Sequence, residues 1–405
     1  MKTLLKQTFC ASFVVTALLL PVTGQAATYY VATSGNNSNP GTSSNPWQTV
    51  AYAVKKMSAG DTTYVRGGTY REGGVIQFGR SGTSSYPIKL LSAPGEFPII
   101  DFVDKTTNKQ IRFQNFSGSK YPIGWITVQG FQIRNAYNGF KINNGHDLTI
   151  RGNAIQNSGS QGIHGNGTRI LIERNRINLN GSDSTYNHGI YMNGTAVTAI
   201  NNLIYGNKCY GIQVNGTVSY DSSKHPGPEF AKSSNWILSN NTFAYNGCAG
   251  VVLWGSTPSL RAENNIFYEN ANTKASTSTQ GINFISLTST GIMIRNNLSY
   301  ASGSGAMRFL GTGAKEGTNY TQSSNIVNAL KPAFVNAPAT LPSSPNFALP
   351  SGSSAIDKGL VISSAKIAYN GTSRPKGSTY DVGAYEYNGS TSQLVLAAPT
   401  SAQAQ

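Results

Sequence analysis

His188-Gly189-Ile190-Tyr191-Met192-Asn193 is repeated 22 residues later as Tyr210-Gly211-Ile212-Gln213-Val214-Asn215. Both stretches read Gly, apolar, polar, apolar, Asn. Alternation of this kind is the mark of a strand with one face buried. Further copies are Gly139-Phe140-Lys141-Ile142, Gly250-Val251-Val252-Leu253 and Gly281-Ile282-Asn283-Phe284, with Gly162-Ile163-His164 and Gly305-Ala306-Met307 as weaker members. The step from Gly139 to Gly162 is 23 residues, and longer steps imply inserted loops. A period of 20 to 30 residues carrying short alternating strands predicts a solenoid in which each rung stacks on the next.

A second column supports this. Asn153, Asn175, Asn202, Asn241, Asn265 and Asn297 each follow a short apolar strand. Stacked in register, they would form a ladder of side-chain hydrogen bonds, which makes them turn architecture and not chemistry. The predicted fold is all-β: a right-handed, single-stranded parallel β-helix with an N-terminal capping helix and a loop-rich C-terminal cap. Asn45-Pro46-Trp47 is expected to open the helix, which runs to Met57 with Ala51, Ala53 and Val54 on its apolar side; Gly60–Val65 then starts the first rung. Such a helix covers sheet edges that would otherwise be exposed.

Residues 1–26 read as a secretory signal, with Lys2 and Lys6 before the apolar Phe13–Leu20 and small residues at Gly24 and Ala26. The catalytic domain is placed at 27–388, with 27–75 as N-terminal cap and 331–388 as C-terminal cap. A flexible Ser, Thr, Gln and Ala tail occupies 389–405. These boundaries predict an exported protein, extracellular or periplasmic, that is monomeric and has no membrane or nucleic-acid partner. Cys209 and Cys248 each stand two residues before a repeat glycine. Neighbouring rungs lie about 4.8 Å apart, so the two are expected to form a rung-to-rung disulfide, with stacked free thiols as the alternative.

Charge points to the partner. The chain has 31 Lys and Arg against 16 Asp and Glu, a formal charge of +15, and loss of Lys2 and Lys6 lowers it to +13. A basic exported protein suits a polyanion. The outward positions of the repeat strands are Lys141, His164, Tyr191, Gln213, Val252 and Asn283, followed by Asn143, Asn193, Asn215 and Trp254. This stripe offers cations for carboxylates, amides for hydroxyls and an aromatic for sugar stacking. Two inserts border it. The one between Val218 and Asn235 carries Lys224, His225 and Lys232, and the other, 181–187, precedes His188.

Glycoside hydrolysis usually needs a carboxylate pair. Near the stripe the acids are Asp183, Asp221 and Glu229, all on inserts, and no clustered carboxylates suit calcium. β-Elimination of a uronate instead needs a group to neutralise the C6 carboxylate, a base for the C5 proton and an acid for the leaving O4. Tyr191 and Lys224 are assigned as the acid/base pair, with Lys208 as the reserve base. His188, Gln213 and His225 bind or neutralise the carboxylate, and Lys141 and His164 hold more distant sugars. Asn193, Asn215 and Trp254 complete the binding surface. No cofactor is expected for catalysis; structural calcium is left open. His146, Arg151, Arg174 and Arg176 are read as structural or surface groups.

Several segments carry a family resemblance. Tyr29-Tyr30-Val31-Ala32, Gly35-Asn36-Asn37, Asn45-Pro46-Trp47-Gln48-Thr49 and Gly67-Gly68-Thr69-Tyr70 resemble the N-terminal region of secreted β-helix polysaccharide lyases. Ala355-Ile356-Asp357-Lys358-Gly359 and Asp381-Val382-Gly383-Ala384-Tyr385-Glu386-Tyr387 resemble their terminal segment. The match to calcium-dependent pectate lyases lacks the clustered aspartates. The metal-poor stripe with His188-Gly189-Ile190-Tyr191 looks more like the alginate lyases of polysaccharide lyase family 31. That resemblance implies endo-acting cleavage of mannuronate-rich alginate by a Tyr and a Lys, which match Tyr191 and Lys224 by position. The competing readings are a non-catalytic carbohydrate-binding β-helix or adhesin, a uronan C5-epimerase, and a hydrolase using the insert carboxylates.

Overall fold

The computed structural model describes residues 26–182, 187–216, 233–271, 279–284, 288–301, 308–311 and 313–389. Parallel strands stack in three columns along one axis. The first sheet runs from Ile76–Phe78 through Ile111–Phe113, Ile190–Thr195, Ile212–Asn215 and Val251–Trp254 to Arg308–Leu310. The second runs from Thr28–Val31 and Thr62–Val65 to Ile292–Arg295 and Tyr320–Ser323. Phe140–Arg151 and Ile163–Glu173 are long enough to pass through both. The third sheet holds ten strands, from Thr69–Arg71 to Ile326–Val327.

The alternating pattern places the apolar residues as expected. Phe140, Ile142, Ile163, Ile190, Met192, Ile212, Val214, Val251, Leu253 and Ile282 are all buried in one continuous core. The repeat glycines are there because the chain turns tightly against the next rung. A Cβ on Gly189 would lie 2.6 Å from the Gly211 carbonyl oxygen, and one on Gly211 would lie 2.5 Å from that of Gly250.

The asparagine column forms the ladder. Side-chain bonds of 3.0–3.2 Å run from Asn153 through Asn175, Asn202, Asn241, Asn265 and Asn297, and reach one rung further to Asn325. Each amide also donates to a backbone carbonyl of the turn, as Asn202 does to Ile172. The residue before each ladder Asn takes a left-handed φ of 50–61°. Asn is tolerated there because its short polar side chain bonds locally. A second ladder, absent from the sequence reading, joins Asn180, Asn207, Asn246 and Asn270. Cys209 and Cys248 are disulfide-bonded, with Cα atoms 4.5 Å apart.

Both ends differ from expectation. The helix is Val50–Lys56, capped by the Thr49 side chain, and it buries Val50, Ala53 and Val54. Asn45–Gln48 lies outside it because the buried Trp47 ring is held by its indole N–H donating to the Asn39 carbonyl. The sheet also begins earlier than Gly60, since Thr28–Val31 already pairs with Thr62–Val65. The C-terminal segment does more than close an end. Phe347, Leu349, Tyr369, Val382 and Tyr385 pack on Leu203, Tyr205, Ile266, Tyr268 and Leu298 of the third sheet. Those outward residues are apolar, so that face has to be covered. No described helix is long and apolar enough to cross a membrane.

Candidate functional site

The outward row of the first sheet is the stripe inferred from sequence. Parallel register aligns Gln77, Arg112, Lys141, His164, Tyr191, Gln213, Val252 and Asn283. Asn166 and Asn193 are paired in the next outward column, as are Asn215 and Trp254, whose ring is exposed. Asn143 donates to the Gln114 amide oxygen at 2.6 Å.

Strand stacking brings Lys141, His164 and Tyr191 together, and His188, two residues before the Ile190 strand, joins them. Lys141 Nζ lies 3.2 Å from His164 Nδ1. The His164 ring stacks on Tyr191, with centroids 5.2 Å apart and planes within 8°. His188 meets the same tyrosine edge-on at 5.7 Å. Its orientation is set by the Tyr210 backbone N–H, which donates to His188 Nδ1 at 3.2 Å. Lys141 and His164 therefore adjoin Tyr191.

Burial tunes the row. It pushes the Lys141 ammonium down to about 8, helped by the positive charge of Arg112. It pushes His164 down to about 3, with Lys141 and His188 adding to the effect. His164 is therefore neutral at ordinary pH and accepts a hydrogen bond from Lys141. Tyr191 is raised by burial, so its phenol keeps its proton.

Other assigned residues lie differently. Gln213 and Val252 are in the row, but both are buried, Val252 completely. Tyr210, from the turn before Gly211, hydrogen-bonds the Asn283 side chain and so passes over the Val252 rung between them. The row is half-exposed from Gln77 to Tyr191 and buried at Gln213 and Val252. Lys208 is exposed in the turn before Cys209. Lys224 and His225, with Asp183, Asp221, Glu229 and Lys232, lie outside the described residues. His146 pairs with Asp147 at 2.8 Å, which in turn holds Arg169, in keeping with a structural role. Arg151 pairs with Glu173.

The sequence reading missed Arg112, Tyr210 and Asn166. Arg112 sits in Ile111-Arg112-Phe113, a three-residue strand with no preceding glycine to mark it. Its signal was the apolar–polar–apolar alternation alone. A cavity of about 430 Å³ on the second sheet, between Trp236, Arg261 and Met293, lies away from the row and holds no acid/base pair.

Comparison with known proteins places the fold. Residues 29–198 match the family described as Pel9A-like, right handed beta helix region, and residues 117–299 match the right handed beta helix region. The chain is therefore a right-handed parallel β-helix, and its residues 29–198 are similar to the Pel9A-like family. It is 43% identical over 76 residues to pectate lyase PEL9 of Emericella nidulans, covering 19% of this chain and 18% of that protein. It is 26% identical over 228 residues to pectate lyase L of Dickeya dadantii, covering 53% of this chain and 46% of that one. The chain thus spans less than half the length of either relative. A solved rhamnogalacturonan lyase superposes with a TM-score of 0.50 at 16% identity, covering 80% of this chain and 97% of that one, a likeness of fold. Both of these relatives are named for pectate. Among the described residues no three His, Cys, Asp or Glu side chains come together as a metal site.

Proposed function

We propose that this chain is an exported polysaccharide lyase that cleaves a uronate polymer by β-elimination without a metal ion. Mannuronate-rich alginate is the first substrate and pectate, favoured by the named relatives, the second. The observation that carries the reading is the contact row Lys141–His164–Tyr191 on the half-exposed outward face, with the buried His188 edge-on to Tyr191.

The row supplies the parts of an elimination. A neutral Lys141 amine removes the C5 proton of a uronate whose carboxylate is held by neighbouring donors. The C5 electrons form the C4–C5 double bond as the C4–O4 bond breaks. Tyr191 gives its phenolic proton to O4. A lowered ammonium pKa and a raised phenol pKa leave each group in the form its role requires near neutral to mildly alkaline pH. His164, neutral and stacked on Tyr191, separates the two and fixes their orientation. Of the sequence candidates for the base, Lys224 keeps its place as the alternative to Lys141, and the two variants distinguish them.

The test is ultraviolet absorbance of the unsaturated product during incubation with alginate, pectate and other uronate polymers, with and without EDTA. A rise on alginate that survives EDTA is expected. A rise on pectate alone moves the substrate, a rise lost with EDTA overturns the metal-free mechanism, and no rise on any polymer overturns the lyase reading. In that last case, uptake of solvent deuterium at C5 would indicate epimerisation, and retention on a polymer column would indicate a binding β-helix.

A further inference from the structure

Most of the half-buried or buried arginines elsewhere meet a carboxylate or an amide. Arg134 meets Asp101, Arg151 and Arg174 meet Glu173, Arg169 meets Asp147, Arg295 meets Glu263 and Arg374 meets Glu386, at 2.6–3.7 Å. Arg176 donates to the Gln156 amide. Arg112 has no carboxylate partner among the described residues, and its buried Nε makes no hydrogen bond. Burial also lowers its pKa. A partly desolvated guanidinium without a counter-charge is unfavourable by itself and becomes favourable when an anion binds.

Its surroundings suit one anion in particular. Gln77 and Lys141 flank Arg112 in register on either side. Beside it, Asn143 donates to the Gln114 amide oxygen, which leaves the Gln114 NH₂ group to donate outward. The Gln77 amide is committed to the Gln114 carbonyl. A planar guanidinium with an amide donor at its side matches a carboxylate, which it can take by two parallel bonds.

We propose that Arg112, with Gln114 and Asn143, is a subsite that reads the carboxylate of a uronate unit remote from the bond that is cleaved. The proposal rests on the uronate reading above. Lys141 and Tyr191 act on one uronate, which therefore lies over the His164 rung between them, and Arg112 stands two rungs from His164, or about 10 Å at a rung spacing near 4.8 Å. A pyranose unit is close to one rung in length, so the stack acts as a ruler. A chain laid along the row from that reacting unit reaches Arg112 at its third unit. The subsite therefore makes the enzyme prefer substrates of at least three units on that side, with a free carboxylate at the far one.

Calorimetric binding of a di- to hexasaccharide uronate series to the full chain carrying Tyr191→Phe, which leaves the ligand intact, tests this. Affinity is expected to step up at least about tenfold once the ligand spans from the reacting unit to Arg112. The step should disappear in Arg112→Gln, be partly kept in Arg112→Lys, and be absent for ligands whose far carboxyl is reduced to an alcohol. A step that persists in Arg112→Gln, or that the reduced ligand also shows, overturns the subsite while leaving the lyase reading intact. Failure of every oligouronate to bind the Arg112-containing protein overturns the uronate reading and the subsite with it. Circular dichroism of the two Arg112 variants separates loss of binding from loss of fold.

Discussion

The first and second sheets share two of their strands outright, since Phe140–Arg151 and Ile163–Glu173 run through both, and they bury the same kind of aliphatic row. Their outward faces nevertheless differ. On the second sheet three arginines are matched, Arg151 with Glu173 at 2.7 Å, Arg295 with Glu263 at 2.6 Å, and Arg169 held by Asp147, while Arg261 is exposed to water. On the first, Arg112, Lys141 and His164 follow one another with no carboxylate among them. A repeat scaffold makes every face equally available, so the location of function is told by where charge is left unbalanced and desolvated. The balanced face behaves as surface; the unbalanced one has titration behaviour shifted by its own neighbours.

The largest break in that comparison should come from Tyr191→Phe and Lys141→Ala. Each is expected to lower kcat by about a hundredfold or more, with the thermal midpoint unchanged. Equal activity in Lys141→Ala together with loss in Lys224→Ala would move the base to the insert. Next, the rate should climb about tenfold per pH unit below the Lys141 pKa of about 8 and flatten above it, because the amine acts when deprotonated. Arg112→Gln removes a positive neighbour and should shift that inflection upward; a pH–rate profile that stays put would sever the link between the two cations. Removing the disulfide by Cys209→Ser with Cys248→Ser should cost about 2–4 kcal/mol of unfolding free energy in urea. Asn241→Ala, which interrupts a buried ladder, should cost about 1–3 kcal/mol. The smallest effect belongs to the balanced face: Arg169→Ala, with its side chain mostly in water, should cost under about 1 kcal/mol and leave turnover untouched.

The architecture was readable because periodicity survives translation into stacking. Gly-apolar-x-apolar specified which residues face the core, the Asn column specified one turn, and the cysteine spacing specified the disulfide. What escaped was information carried between rungs. Arg112 has the same alternation as its neighbours but no glycine, and its significance comes from lacking an acid that could have come from any rung. Tyr210 reads as a turn residue, and its reach across to Asn283 depends on a rung 73 residues away in sequence. The second asparagine ladder follows irregular spacings set by loop length. The C-terminal segment gave no periodic signal, so its docking along the third sheet was visible only in the exposed apolar pattern it covers.

That segment has one more consequence. It does not touch a single rung: Arg374 reaches Asn201, Asn240 donates to the Asp381 carbonyl, Asn264 exchanges hydrogen bonds with Leu360, and Asn296 donates to the Lys358 carbonyl. These are the left-handed turn residues of four successive rungs. A stack of repeats held only by adjacent contacts can fray or melt unit by unit. A strap fastened at four points along the axis ties non-adjacent units to one another, so the C-terminal half of this solenoid should unfold as one cooperative block.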